Sequence, residues 1–130
     1  MNLRYFLALI VYCSVIFYES SHQIPFQADQ KIPGMDKVVH AAIYGGLAAI
    51  VSVGMRRSWR TYSPWVQFLV PIAVAMLYGA SDELHQHFVP GRKFDPWDEL
   101  ANTSGAFLMQ YYLCVRRWGL PLDYSKRSSV

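Results

Sequence analysis

Apolar positions along this chain fill whole blocks instead of recurring as narrow stripes. Residues 5–18 (YFLALIVYCSVIFY), 38–55 (VVHAAIYGGLAAIVSVGM), 64–81 (PWVQFLVPIAVAMLYGAS) and 100–115 (LANTSGAFLMQYYLCV) carry no ionised side chain; the segments between them are polar. With a few flanking residues, each block reaches the roughly 17–25 residues that a helix needs to cross a bilayer. Lipid cannot satisfy free backbone N–H and C=O groups, so such a segment crosses as a helix. A water-soluble bundle of four buried helices is the alternative, but its helices would carry polar outer faces, and the second and third blocks show almost none. The expected fold is all-α: a polytopic membrane protein with four transmembrane helices. It forms a single domain over residues 1–122, followed by a short polar cytoplasmic tail, 123–130, expected to be disordered.

The first block has a second possible reading. A basic start (Arg4) followed by an apolar run also describes a secretory signal peptide, yet the segment YESSHQ that follows offers no clear small-x-small cleavage site. The expectation is a retained first helix. Pro71 inside the third block is expected to bend that helix, and YGG at 44–46 to mark a close helix contact. Cys13 and Cys114 fall within the apolar blocks and are read as small packing residues, a disulfide between them being the other option.

Composition changes this picture little. The 130 residues are 53% hydrophobic, with 12 basic and 9 acidic side chains, a net charge of +3. The placement of charge says more. If the N-terminus is cytoplasmic, the inner side holds eight basic residues, Arg4, Arg56, Arg57, Arg60, Arg116, Arg117, Lys126 and Arg127. The outer side then holds four, Lys31, Lys37, Arg92 and Lys93. Basic residues accumulate on the cytoplasmic side, so both termini are expected inside the inner (cytoplasmic) membrane. Lipid is the expected partner of the basic inner surface, and nucleic acid is not expected to bind. Trp59, Trp65, Trp118, Tyr111 and Tyr112 suit the inner membrane–water boundary.

The acidic residues gather on the other side, above all in YGASDELHQHFVPGRKFDPWDELAN (78–102), with seven ionised side chains and two histidines between two apolar blocks. Helical spacing organises them. Asp36, His40 and Tyr44, at i, i+4 and i+8, form a stripe descending about 12 Å from the outer surface. Asp82, His85 and Gln86 share a face at the end of the third helix, with Glu83 on the adjoining side, and Asp98 and Asn102 lie on one face of the fourth. In the connection, Pro90-Gly91 suits a type II turn, and Asp95-Pro96 an N-cap followed by proline at the first helical position. Arg92, folded back by the turn, is expected to pair with Asp82, Asp98 or an anionic ligand.

MDKVVHAAIYGGLA, YGASDELHQHFVPGR and DELANTSGA together resemble the VanZ-like family of small integral membrane proteins, relatives of the teicoplanin-resistance protein VanZ. The family pattern falls on Asp36, Lys37, His40 and Tyr44, then on Asp82, Glu83, Gln86 and Arg92, then on Asp98, Asn102 and Gly105, over roughly residues 36 to 110, and more loosely on the preceding serine-rich ESSHQ (19–23). This chain has Met109 where the family often has a small residue a turn after Gly105. The resemblance implies about four membrane helices and a link, in one member, to lowered teicoplanin sensitivity. It implies no reaction and no cofactor.

Two uses of the polar residues stay open. They can form a structural clasp whose interhelical contacts contribute about 0.6–2 kcal/mol each, in a non-enzymatic interaction or assembly protein. Or they can form a site, since ionisable residues at membrane depth commonly mark function. In a site, His40, Glu83 and Asp82 are the candidates for proton transfer. Asp36, Lys37, Tyr44, Gln86, Arg92, Asp98 and Asn102 are the candidates for binding a ligand, a phosphate- or glycan-bearing envelope lipid being the class that Lys37 and Arg92 suit. A metal held by His40, Glu83 and His85 with Asp36 or Asp98 is the rival use, with a weak spacing signature. Sequence alone leaves cofactor and metal undecided.

Overall fold

A computed structural model describes residues 2–22, 33–58, 61–90, 92 and 95–120. Four α-helices follow one another: α1 (Leu3–Ser21), α2 (Met35–Arg56), α3 (Pro64–Gln86) and α4 (Pro96–Gln110). The last runs on into a π-helical segment, Tyr111–Arg117. Among the described residues every regular element is helical, as the block pattern requires. Gly91 of the expected turn, Trp59, Arg60, Lys31, Lys93 and the tail 123–130 lie outside the described residues.

The helices begin where local chemistry allows. Asn2, Ser63 and Asp95 accept hydrogen bonds at the N-termini of α1, α3 and α4 from the N–H of Arg4, Val66 and Trp97. Pro64 and Pro96 occupy the first helical positions, where a missing N–H costs nothing. The Asp95-Pro96 start is therefore as the sequence indicates. Gly34 precedes α2 at φ +81°, a conformation open to glycine.

By length and composition, α1, α2 and α3 can each cross a membrane. At about 1.5 Å per residue, the 15 residues of α4 cover about 22 Å, less than the roughly 30 Å hydrocarbon core. Its α-helical part falls short alone because the helix turns π-helical at Tyr111; that seven-residue segment extends it.

Packing is centred on α2 and α4. The buried positions of α2 are Tyr44, Gly45, Leu47, Ala48, Val51, Ser52, Gly54 and Met55, and they meet Asn102, Gly105, Ala106 and Gln110 of α4 at three- and four-residue spacing. A Cβ on Gly105 would lie 2.0 Å from the Ala41 carbonyl oxygen, and one on Gly45 would lie 3.2 Å from that of Gly105. Bare backbones therefore touch here, as small residues permit in membrane helices. Met109 does not prevent it: its Cβ sits 3.8 Å from the Cβ position of Gly45, an ordinary contact. In α1 only Ile16 and Ser20 are buried, while Phe6, Leu7, Ile10, Val11 and Val15 stand on the surface, as suits lipid contact. Both cysteines are free. Helix α3 continues through a buried Pro71.

Candidate functional site

At one end of the bundle α2, α3 and α4 bring their ionisable residues together. Lys37 lies in the first turn of α2. Its Nζ lies 2.8 Å from Asp36 Oδ2, 2.6 Å from Asp95 Oδ2 and 2.5 Å from Asp98 Oδ1. The ammonium thus ties the start of α2 to the start of α4, and its hydrogen bond holds the Asp95 carboxyl below the usual carboxylate range.

One turn below Lys37 sits His40. Its Nδ1 is 3.0 Å from Asn102 Oδ1. The Asn102 amide nitrogen donates to Glu99 Oε2 at 3.4 Å, which leaves Oδ1 as acceptor, so the proton between the two residues belongs to His40 Nδ1. A neutral His40 then keeps its lone pair on Nε2, which faces Asp98 Oδ2 at 3.8 Å. Glu83 enters the same space from α3. Only 1% of its surface is exposed. One oxygen accepts a 3.4 Å hydrogen bond from the Asp95 N–H, and the other, Oε1, has no partner among the described residues. One donor atom from each of His40, Glu83 and Asp98 lies within 4.8 Å of the others.

Asp82 precedes Glu83 in the chain, and consecutive helical residues diverge by about 100°. It therefore faces a second network. Its Oδ1 accepts from the Ser20 hydroxyl at 2.5 Å, and its Oδ2 accepts from the Tyr44 hydroxyl at 3.2 Å and the Gln86 amide at 3.0 Å. The two networks abut at Gly79. A Cβ there would fall 2.6 Å from Glu99 Oε2, 3.0 Å from Asn102 Nδ2 and 3.2 Å from the Tyr44 ring. Only a residue without a side chain lets the Glu99 carboxylate settle against α3.

The expected residues are thus gathered, but in two adjoining networks: Asp36, Lys37, His40, Glu83, Asp98 and Asn102 in one, Tyr44, Asp82, Gln86 and Arg92 in the other. The expected pairing of Arg92 with Asp82, Asp98 or another acid is corrected. Its guanidinium donates to the Glu19 and His22 carbonyls at 3.2 Å each and lies 3.5 Å from Gln86 Oε1; among the described residues it forms no ion pair. The reason is local, since carbonyls at the end of α1 lack an N–H four residues on and attract a cation; among the described residues Glu19 otherwise accepts only the His22 N–H, at 3.4 Å. The metal set containing His85 is corrected too. His85 Nε2 lies 3.0 Å from the Ser21 hydroxyl and its ring stacks near Phe17, against α1 and away from His40.

Glu99, Ser20 and Thr103 belong to the networks without having been singled out in the sequence. Thr103 donates to Glu99 Oε1 at 3.3 Å. The i, i+3, i+4 spacing of Glu99, Asn102 and Thr103 is the signal for the first and last. For Ser20 the signal was the looser resemblance of ESSHQ (19–23), just beyond the first block.

At the opposite end, Arg4 and Arg57 line one surface recess with Asn2, Tyr5 and Ala8. Arg56 lies over the Trp118 ring at 4.7 Å. Among the described residues the acidic side chains thus lie at one end of the bundle with Lys37 and Arg92, and the other arginines at the opposite end.

No curated protein and no solved structure matches this chain. The VanZ/LLP1 family model matches residues 3–117, which covers all four helices and both polar networks, and the chain accordingly belongs to the VanZ/LLP1 family of membrane proteins.

Proposed function

We propose that the chain crosses the cytoplasmic membrane four times with both termini inside, and that its acidic end faces outward and binds or modifies a cell-envelope molecule with a phosphate- or glycan-bearing head group. The gathering of Arg4, Arg56, Arg57, Arg116 and Arg117 at the far end supports the orientation. The 15 residues of α4 and the seven of the π-helical segment together suit a fourth crossing.

Glu83 is the observation that carries the functional reading. A carboxyl that is 1% exposed, with one oxygen unpartnered among the described residues and the other held by a single 3.4 Å hydrogen bond from the Asp95 N–H, adds little to adhesion and costs desolvation. A binding or catalytic site keeps such a group; a clasp would pair it. Beside it, His40 with a free Nε2 suits proton transfer. One feature favours the other reading, a structural clasp in an interaction protein. Lys37 is saturated by three carboxylates and so ties helices together.

Glu83→Gln separates the two. Cells lacking the chain are complemented with wild type or variant, and membrane abundance, lipid-linked envelope intermediates and glycopeptide susceptibility are measured. The expected result is normal abundance with loss of the wild-type effect. Retained function, or a collapse in abundance, favours the clasp.

A further inference from the structure

In the His40 cluster one donor atom from each of His40, Glu83 and Asp98 lies within 4.8 Å of the others, and among the described residues no hydrogen bond joins the three. His40 Nδ1–H is held by Asn102, so a neutral imidazole offers Nε2. Lys37 takes Asp98 Oδ1, so Asp98 Oδ2 is left, 3.8 Å from that nitrogen and beyond hydrogen-bond length. Glu83 Oε1 is buried without a partner among the described residues. The donors come from three different helices, and within the surrounding cluster five carboxyl groups, those of Asp36, Glu83, Asp95, Asp98 and Glu99, face one fixed cation among the described residues, Lys37. Acceptors packed against acceptors at low dielectric are unfavourable unless a proton or a metal ion joins them.

We infer that His40, Glu83 and Asp98 hold a divalent first-row metal ion, Zn2+ fitting best, at the junction of α2, α3 and α4. Imidazole nitrogen and carboxylate oxygen are both donor types that zinc accepts, and three protein ligands leave its fourth coordination position open. Atoms bonded at about 2.1 Å to one tetrahedral ion stand about 3.4 Å apart, and donor atoms of the three residues lie within 4.8 Å of one another. Closure on an ion therefore asks the widest pair to approach by up to about 1.4 Å, a distance that side-chain torsions can supply. Asn102 would fix the tautomer and orientation of His40, and Lys37 would steer the second oxygen of Asp98 toward the ion, as outer partners of metal ligands do. The inference deepens the proposed function and rests on it. Because Lys37 and Arg92 are already engaged, the open position on the ion becomes the place where an anionic oxygen of a head group is received.

The test uses the full chain in nanodiscs, stripped with EDTA and titrated calorimetrically with zinc chloride and, separately, manganese chloride. The expected result is one zinc per chain. Glu83→Gln and His40→Gln should weaken it by at least about 100-fold, and Asn102→Ala by about 10–100-fold, the range typical of outer partners. His87→Gln, at an exposed position outside the cluster, should leave binding unchanged. Absence of zinc binding by the wild type, or binding that survives both ligand substitutions, overturns the inference; tighter binding of manganese than of zinc overturns the choice of zinc. Should both variants fail to fold, cobalt bound to the wild type decides. Intense visible bands of a four-coordinate ion support the site, and the weak spectrum of hexa-aquo cobalt overturns it. The two readings fail separately. If no zinc binds but Glu83→Gln still abolishes function in cells at normal abundance, the metal falls and the site stands. If zinc binds and Glu83→Gln cells behave as wild type, the ion is structural and the proposed function falls.

Discussion

At the residue scale, the two cations near the cluster do different work from what their charge alone suggests. Lys37 neutralises acids, whereas Arg92 reaches back to the Glu19 and His22 carbonyls and so closes the end of α1 onto the turn after α3. Hydrogen bonds from a charged donor contribute about 1.5–3 kcal/mol each when shielded, and less where water competes. Arg92 is partly shielded. Arg92→Ala is therefore expected to lower stability by about 1–2 kcal/mol, read as earlier thermal unfolding in detergent, with Arg92→Lys intermediate because a point charge cannot serve both carbonyls with one planar fork. Zinc affinity in Arg92→Ala should stay near that of the wild type, since the guanidinium touches neither His40, Glu83 nor Asp98.

At the scale of elements, the contact between α2 and α4 positions the site. His40 and Ala41 are neighbours on α2, and Asn102 lies one turn before Gly105 on α4, so the backbone contact of Ala41 with Gly105 sets the 3.0 Å reach between His40 and Asn102. An added methyl at Gly105 meets rigid backbone, not the flexible end of a side chain. Gly105→Ala is expected to cost about 3 kcal/mol, the upper part of the range for overpacking, measured as a shift in the denaturant midpoint. Metal or ligand affinity should fall with it. A control at the exposed Ser104 of the same helix should change neither quantity.

At the scale of the whole molecule, separation of charge to the two ends is the device that orients a bundle in a membrane. The proposed orientation is testable with single cysteines in a chain where Cys13 and Cys114 are replaced by alanine. Asp29→Cys and Lys93→Cys should react with a membrane-impermeant thiol reagent applied to intact cells without an outer barrier, and Ser58→Cys should react only after lysis. Labelling of position 58 alone in intact cells would invert the topology and place the acidic cluster in the cytoplasm.

Sequence by itself determined the helical class and the four apolar blocks, because lipid admits few backbone solutions for an uncharged run of that length. It also fixed which polar residues share a level, since Asp36, His40, Asp82, Glu83, Asp98 and Asn102 lie at helix ends joined by short connections. Helical periodicity within one element likewise ordered His40 below Asp36 and Asn102 below Asp98. Only the tertiary structure decided how the helix faces rotate against one another. That rotation parts Asp82 from Glu83 into separate networks, turns His85 toward Ser21 and draws Glu99 against Gly79. It also decided the partners of Arg92, because the carbonyls it meets belong to a helix some seventy residues earlier in the chain, and spacing along a sequence carries no record of an unsatisfied carbonyl elsewhere.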